Sequence, residues 1–262
     1  MAASGKLLVT LDEGVKRITI NRPERRNSVD TETIELLHEE IRRSAEDESR
    51  VVILTGAGDS FCAGADLQAS SGSDIRNVDV TASLREHTNP TILAMRRLAK
   101  PIIARVHGHA VGVGCNYALA CDILIASEQA KFGQVFVKIG LMPDGGSTYF
   151  LPRIVGYAKA FEMMATGDII GAQDAMALGM VNYVVPVEEL DNAVNKMAAR
   201  LASAPAIALG KIKQGLNHAE KSDLAGALEF EAVNQAACFH SEDFLEGVSA
   251  FREKRGPNFK GK

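Results

Sequence analysis

The sequence predicts a layered α/β fold followed by a wholly helical C-terminal stretch. Short apolar runs alternate with helical periodicity through the first half, and from about residue 156 helical patterns dominate. Alternation of this kind gives parallel strand pairs, because each helix carries the chain back to the same end of the sheet.

The elements follow in order. Residues 6–11 and 15–20 read as two strands around Asp12-Glu13-Gly14, the second alternating apolar and polar as Val15-Lys16-Arg17-Ile18-Thr19-Ile20. Asp30 or Thr31 caps a helix through Ile34, Leu37 and Ile41. Val51-Val52-Ile53-Leu54-Thr55, ended by Gly56, fits a strand buried on both faces. Residues 69–82 are polar and aperiodic, a surface loop expected to be mobile and to shape a pocket. A helix from Leu84 to Leu98 stops before Pro101, and Ile102–Val106 forms the next buried strand. After a glycine-rich turn, a helix starts at Cys115–Ala120 and a strand returns at Asp122–Ala126. A short strand is expected at Asn182–Val185, and the chain from Pro205 reads as helix.

Composition bounds the function. At 262 residues, with 46% hydrophobic and 24% charged residues, the chain can bury a full core without disulfides or metals. A net charge of −4 argues against a nucleic-acid partner, which calls for a concentrated basic face. Cys62, Cys115, Cys121 and Cys238 show no C-x-x-C spacing and read as reduced thiols. No apolar run approaches the roughly 18 residues of a membrane span. There is no secretory leader, and the final Lys260-Gly261-Lys262 is no peroxisomal signal, so a cytoplasmic protein is expected.

Two glycine-rich segments stand out, each following a strand. The first, Thr55-Gly56-Ala57-Gly58-Asp59-Ser60-Phe61-Cys62-Ala63-Gly64-Ala65-Asp66-Leu67, is expected to open a short helix. It lacks the third glycine of a dinucleotide fingerprint, and no Walker Gly-Lys-Ser/Thr occurs. The second, His107-Gly108-His109-Ala110-Val111-Gly112-Val113-Gly114-Cys115-Asn116, leads from strand to helix. Small residues before a helix start bring free N–H groups close to a ligand. His107 and His109 have no carboxylate or further histidine close by in sequence, and no metal is expected.

Together, and in this order, the two segments resemble the crotonase superfamily, the enoyl-CoA hydratase/isomerase family. The resemblance spans nearly the whole chain. It starts at Asn21-Arg22-Pro23-Glu24-Arg25-Arg26-Asn27-Ser28-Val29 and runs through Phe61–Leu67, Pro101–Ala104 and Cys121-Asp122-Ile123. It continues in Lys131-Phe132-Gly133-Gln134, Gly140-Leu141-Met142-Pro143-Asp144-Gly145-Gly146-Ser147-Thr148, Ala177–Val181 and Phe251–Phe259.

The resemblance implies a spiral of ββα units over residues 1–204 and a helical trimerisation region over 205–262, hence a homotrimer or hexamer. It implies an acyl-CoA substrate, with coenzyme A carried as the thioester and no separate cofactor. The oxyanion-hole N–H groups map onto Ala65 and Val113, the latter a departure from the usual glycine. Two such donors stabilise an enolate oxygen, and losing one typically costs about 3–4 kcal/mol. Coenzyme A contacts map onto Arg25, Arg26, Ala63, Asp66 and Leu67, and onto Phe259 and Lys260 across a subunit boundary. A guanidinium matches phosphate geometry, while the bland reading of Arg25 and Arg26 is a solvated pair.

The reaction turns on three positions. The two glutamates of the family's hydratases map onto Asn116 and Phe136, expected here to line the substrate pocket, and neither can transfer a proton as a carboxylic acid. Asp144 remains. By resemblance to the phenylacetate-pathway and other enoyl-CoA isomerases it is the proton-shuttling base, although an Asp-Gly turn is also a common structural device. Ile212-Lys213-Gln214, Glu246–Phe251 and Lys254-Arg255 also point to the phenylacetate branch. The leading expectation is therefore an enoyl-CoA isomerase acting on a double bond or a ring epoxide. The alternatives are an enoyl-CoA hydratase, a dehalogenase or hydrolase with Asp144 as nucleophile, and a non-catalytic acyl-CoA-binding scaffold. The absence of tryptophan weighs against the dehalogenase branch, whose base would be His87.

Overall fold

The computed structural model describes residues 5–68 and 78–262. Strands β1 (Leu7–Asp12) and β2 (Val15–Ile20) pair antiparallel, with Asp12 opposite Val15. The two intervening residues, Glu13 and Gly14, both have positive φ, 46° and 77°. That is the turn geometry that matches the twist of a tight hairpin. From β2 the sheet grows by parallel pairing through β3 (Val51–Gly56), β4 (Ile102–Val106), β6 (Ile123–Ser127) and β9 (Tyr183–Val185). A second sheet holds three short strands, β5 (His109–Val111), β7 (Lys131–Gly133) and β8 (Ile169–Gly171), with β7 in the centre. Mixed α/β layering is therefore the fold, as the alternating pattern predicts.

Every residue of β3 is buried, which explains why its sequence is continuously apolar rather than alternating. Its two faces meet different partners. Val51 and Ile53, with Ile103 and Ile125, pack against Leu190, Val194 and Ala198 of helix α8 (Leu190–Ala202), three residues at four-residue spacing. Val52 and Leu54 face the larger cluster with Leu37 and Ile41 of α1 (Thr31–Arg43), and with Ile92 and Met95 of α3 (Asn89–Arg97). Helix α1 starts as expected, with Asp30 accepting from the Thr33 N–H at 2.9 Å. Helix α4 (Val113–Ala120) is buried along its entire length and runs through the larger core.

Three expectations need correction. Of the proposed loop 69–82, residues 69–77 lie outside the described residues, and Asp79 caps a short helix, α2 (Val80–Ser83). The helix expected from Leu84 opens as a π turn, Leu84–Thr88, before α3. Pro90 has no N–H to offer the Glu86 carbonyl, and the Asn89 N–H bonds to the Leu84 carbonyl instead. The segment 61–67 opens no helix; Cys62 and Ala65 form isolated parallel bridges to Ala110 and Val29.

Helices α5 (Ser147–Val155), α6 (Tyr157–Thr166) and α7 (Ala172–Ala177) follow, with α5 against α4 and α6, and α7 packed on β7 and β8. Helices α9 (Ala206–Ala219), α10 (Leu224–Phe239) and α11 (Glu242–Glu253) close the chain. Lys213 on α9, nearly buried, reaches Asp122 at 2.8 Å, and Asp122 also accepts from the Ile102 N–H. That pair fastens the helical region to the edge of β4. Helix α10 buries none of its residues and exposes Leu224, Leu228 and Val233. The four cysteines are free thiols, and burial pushes Cys62 and Cys115 up to about 12. No helix among the described residues is long and apolar enough to cross a membrane.

Candidate active site

The two glycine-rich segments lie side by side. The Phe61 and Cys62 N–H groups donate to the His107 and His109 carbonyls at 2.8 and 2.9 Å, and the Val111 N–H donates back to the Cys62 carbonyl at 3.1 Å. The approach is close enough to exclude any side chain at Gly114, where an added carbon would sit 2.2 Å from the Cys62 carbonyl oxygen. A third strand of chain joins from the other side. The Ala63 N–H donates to the Arg26 carbonyl, the Val29 N–H to the Gly64 carbonyl, and the Asp66 N–H to the Val29 carbonyl.

Val29 makes both hydrogen bonds of its bridge to Ala65, so the Ala65 N–H faces the opposite way. It has no acceptor among the described residues. Val113 is the first residue of α4, where an N–H has no partner within the helix, and none meets it from elsewhere among the described residues. Gly112, just before it, lies against Gly64: a carbon added at Gly112 would be 3.7 Å from the Gly64 Cα and 3.9 Å from Cζ of Phe136. Two unengaged backbone donors thus flank one cleft, the second at the positive end of a helix dipole. The Val113 isopropyl group leaves the donor in place. Its Cγ2 would be 3.3 Å from a carbon added at Gly145, so the side chain packs toward the Asp144-Gly145 turn.

A cleft of about 640 Å³ is lined by Ala63, Ala65, Asp66, Leu67, Val113, Phe136 and Asp144 together. Asp144 sits on the loop that leads into α5, half-buried, and its carboxylate has no hydrogen bond or ion pair among the described residues. Burial alone pushes its carboxyl above the ordinary aspartate value. The cleft therefore holds together an acidic side chain raised by burial and a pair of unengaged backbone donors.

Five sequence-predicted residues lie elsewhere. Asn116, expected in the pocket, is fully buried behind its wall and donates through Nδ2 to the Asp144 carbonyl at 2.8 Å. Arg25 and Arg26 stand exposed on the turn before Asn27, with Arg25 bonded to Gln68. Phe259 and Lys260 are held in the tail, where the Arg50 guanidinium donates to the Phe259 carbonyl and the Lys260 N–H donates to Asp243. Neither reaches the cleft of its own chain. Asp66 is in the cleft wall, but its carboxylate is paired with the Arg22 guanidinium at 2.7 Å.

Other residues become visible only in the fold. Lys6 and Lys138 reach the cleft from distant parts of the chain, Lys6 already paired with Asp30 and Glu32. Gln134 and Ser147 are fully buried and bonded to Asn116. Their one signal in the sequence is a polar residue set among small and apolar neighbours. His107 is structural. The Arg105 guanidinium can only donate to its Nδ1, which leaves Nε2–H to donate to the Gly58 carbonyl at 2.8 Å. His87 lies on the π turn beside Glu35, at 3.2 Å, outside the cleft.

Comparisons with known proteins bear on the family and the fold. The family described as "Enoyl-CoA hydratase/isomerase" matches residues 10–262. The chain is 40% identical to 1,2-epoxyphenylacetyl-CoA isomerase of Escherichia coli K12, over 98% of each protein. It is 38% identical to a probable enoyl-CoA hydratase of Rhodobacter capsulatus, over 96% of each. Among solved structures, an enoyl-CoA hydratase from Bacillus anthracis superposes with a TM-score of 0.93 at 35% identity, covering 98% of this chain and 100% of that one. Fold and sequence converge, and the chain belongs to the enoyl-CoA hydratase/isomerase family.

Proposed function

We propose that the protein is an enoyl-CoA isomerase in which Asp144 moves a proton between two carbons of the acyl group while the Ala65 and Val113 N–H groups hold the thioester oxygen. The observation that carries the reading is the pattern of carboxylates. Asp144 is an unpartnered acid in the cleft, while the positions onto which the two glutamates of the family's hydratases map hold Asn116, buried behind the wall, and Phe136, neither of them an acid.

The chemistry follows from the groups present. The thioester acidifies the carbon next to it, and Asp144 takes a proton from that carbon in a 3-enoyl-CoA. The electron pair delocalises onto the thioester oxygen, where both backbone donors meet the developing charge. Asp144 then returns the proton to the far end of the dienolate, and the double bond ends conjugated with the carbonyl. One C–H bond breaks, one forms, and no water is consumed. Phe136 and the Val113 isopropyl group supply apolar walls that disfavour water beside the base. A ring epoxide is the substrate class favoured by the relative that isomerises 1,2-epoxyphenylacetyl-CoA.

Coenzyme A enters as part of the substrate. Arg25 and Arg26 flank the segment 63–67 through the bond from the Ala63 N–H to the Arg26 carbonyl, which supports a phosphate role at the cleft mouth. Phe259 and Lys260 would serve a neighbouring subunit. The apolar faces of α9 and α10, with Ile212, Leu216, Leu224 and Leu228 exposed, support a homo-oligomer, with residues 205–262 as the trimerising region.

Separate assays with a 3-enoyl-CoA and a 2-enoyl-CoA test the reading. Migration of the double bond without water addition is expected, and loss of Asp144 as base lowers kcat by about 100- to 10,000-fold in Asp144→Asn. Hydration without migration replaces the isomerase by a hydratase. Tight coenzyme A binding with no turnover replaces it by a binding scaffold.

A further inference from the structure

The Asp144 carboxylate has no partner among the described residues, yet a proton shuttle must reach two carbons with fixed aim. The residues after it give little stiffness. Gly145 and Gly146 have φ of 54° and 86°, a conformation with no side-chain packing of its own. What is held firmly is the Asp144 main-chain carbonyl. It accepts from Asn116 Nδ2 at 2.8 Å, from the Ser147 N–H at 3.1 Å, and lies 2.9 Å from the Ser147 hydroxyl.

We propose that Asn116, Gln134 and Ser147 form a buried positioning device that aims Asp144; it rests on the reading of Asp144 as the base. All three residues are fully buried. The Asp144 carbonyl can only accept, so Asn116 must present its NH₂ group there and turn Oδ1 away. Oδ1 then accepts from Gln134 Nε2 at 2.9 Å, which fixes the Gln134 amide, whose Oε1 faces the Ser147 hydroxyl at 2.9 Å. The two amides donate in one direction, Gln134 to Asn116 and Asn116 to Asp144, and the Ser147 hydroxyl closes the set with its single proton, 2.9 Å from Gln134 Oε1, 3.0 Å from Asn116 Oδ1 and 2.9 Å from the Asp144 carbonyl. The chain closes on itself, because Ser147 is also the first residue of α5 and its N–H holds the same carbonyl. A carboxylate at position 116 would set an acceptor against that carbonyl, and a charge in a site without solvent.

Asn116→Asp is the diagnostic variant, nearly identical in shape but with the donor exchanged for an acceptor. Ser147→Ala removes the hydroxyl. With a 3-enoyl-CoA as substrate, kcat is expected to fall by about 100-fold in the first and by about 10-fold in the second. The Kd for free coenzyme A stays within about twofold of the parent, because the cleft wall is untouched. Loss of kcat and of coenzyme A affinity together would mark a merely structural role and overturn the proposal. So would kcat within twofold of the parent in both variants. Should Asn116→Asp fail to fold, the same two outcomes are read from Ser147→Ala. Asp144→Asn measured alongside separates the claims. An inactive Asp144→Asn with both other variants fully active removes only the positioning device, whereas a fully active Asp144→Asn removes the base itself.

Discussion

The two sides of the cleft are built by opposite means. On one side, the Ala65 and Val113 donors are main-chain groups fixed by long-range bridges to Val29 and Ala110 and by the start of a fully buried helix. On the other, the Asp144 carboxylate stands free on a turn followed by two glycines, with its backbone held from behind. The first side makes no demand on side-chain identity beyond close approach, which is why valine can stand at 113. The second side is a single side chain and its supports. The two donors are thus set by the fold, whereas the acid is a single side chain placed upon it.

That contrast predicts unequal sensitivity. Asp144→Asn should have the largest effect on rate, with no change in fold by circular dichroism, since the amide keeps the shape and loses the base. Gly114→Ala attacks the other side. An added carbon would lie 2.2 Å from the Cys62 carbonyl oxygen, so the two segments must part or the helix start must shift. Displacing the Val113 donor should then lower kcat by about 100-fold or more. This variant should also lower the melting temperature, where Asp144→Asn should not. A Gly114→Ala protein with parental kcat and Tm would mean that the hole does not depend on this contact.

The same contrast decides what was legible in the sequence. Val51–Thr55 and Val15–Ile20 declare themselves, because burial on two faces or one leaves a continuous or an alternating pattern. The strands His109–Val111, Lys131–Gly133 and Ile169–Gly171 sit among glycines and charged residues with no apolar run around them, and the sequence predicts none of the three. Helix α4 begins at Val113 rather than Cys115, since Gly114 is retained for close approach despite its poor helix propensity. The sequence predicts that segment 61–67 turns into helix. Its bonds instead go to Val29, His107 and His109, partners that no local pattern reveals. Among site residues, Ala63, Ala65, Asp66, Leu67, Val113, Phe136 and Asp144 are gathered in one cleft. Asn116 is not, because an amide can be satisfied in the core by Gln134 and Ser147, and a one-dimensional motif does not distinguish facing a pocket from backing its wall.

Acidity sharpens the comparison next. Burial raises the Asp144 carboxyl above its ordinary value, and the proton transfer proposed for it needs the ionised form. The acid limb of kcat/KM should therefore lie above the roughly 3.9 of a free aspartate, with activity falling about tenfold per pH unit below it. Titration of kcat/KM checks this, and a limb at the ordinary value would mean that the carboxylate is better solvated than its half-buried place implies. Stability has the opposite sign. A carboxyl raised in the folded state stabilises while protonated, and that contribution is lost as pH rises through the raised value. Asp144→Asn should accordingly raise Tm at neutral pH and lose that advantage in acid, while removing activity at both.

The smallest effect on rate is expected at Val113. In Val113→Gly the backbone donor remains, so the oxygen side of the cleft keeps its chemistry and kcat should stay within about threefold of the parent, well short of the loss from a missing donor. The isopropyl group nevertheless packs toward the Asp144-Gly145 turn, near Thr88 and Asn116. Removing this nearly buried group should cost about 2 kcal/mol or more of stability, from lost packing and from a glycine in the first turn of α4. It also opens space beside the base to water. Denaturant unfolding measures the first effect, and the ratio of hydrated to migrated product measures the second. A loss of activity as large as that of Gly114→Ala would show that the valine side chain, rather than its N–H, is what the site requires. A rise in hydrated product at nearly unchanged kcat would assign Val113 to the Asp144 side of the cleft as well, where it keeps water away from a base that its own backbone N–H does not touch.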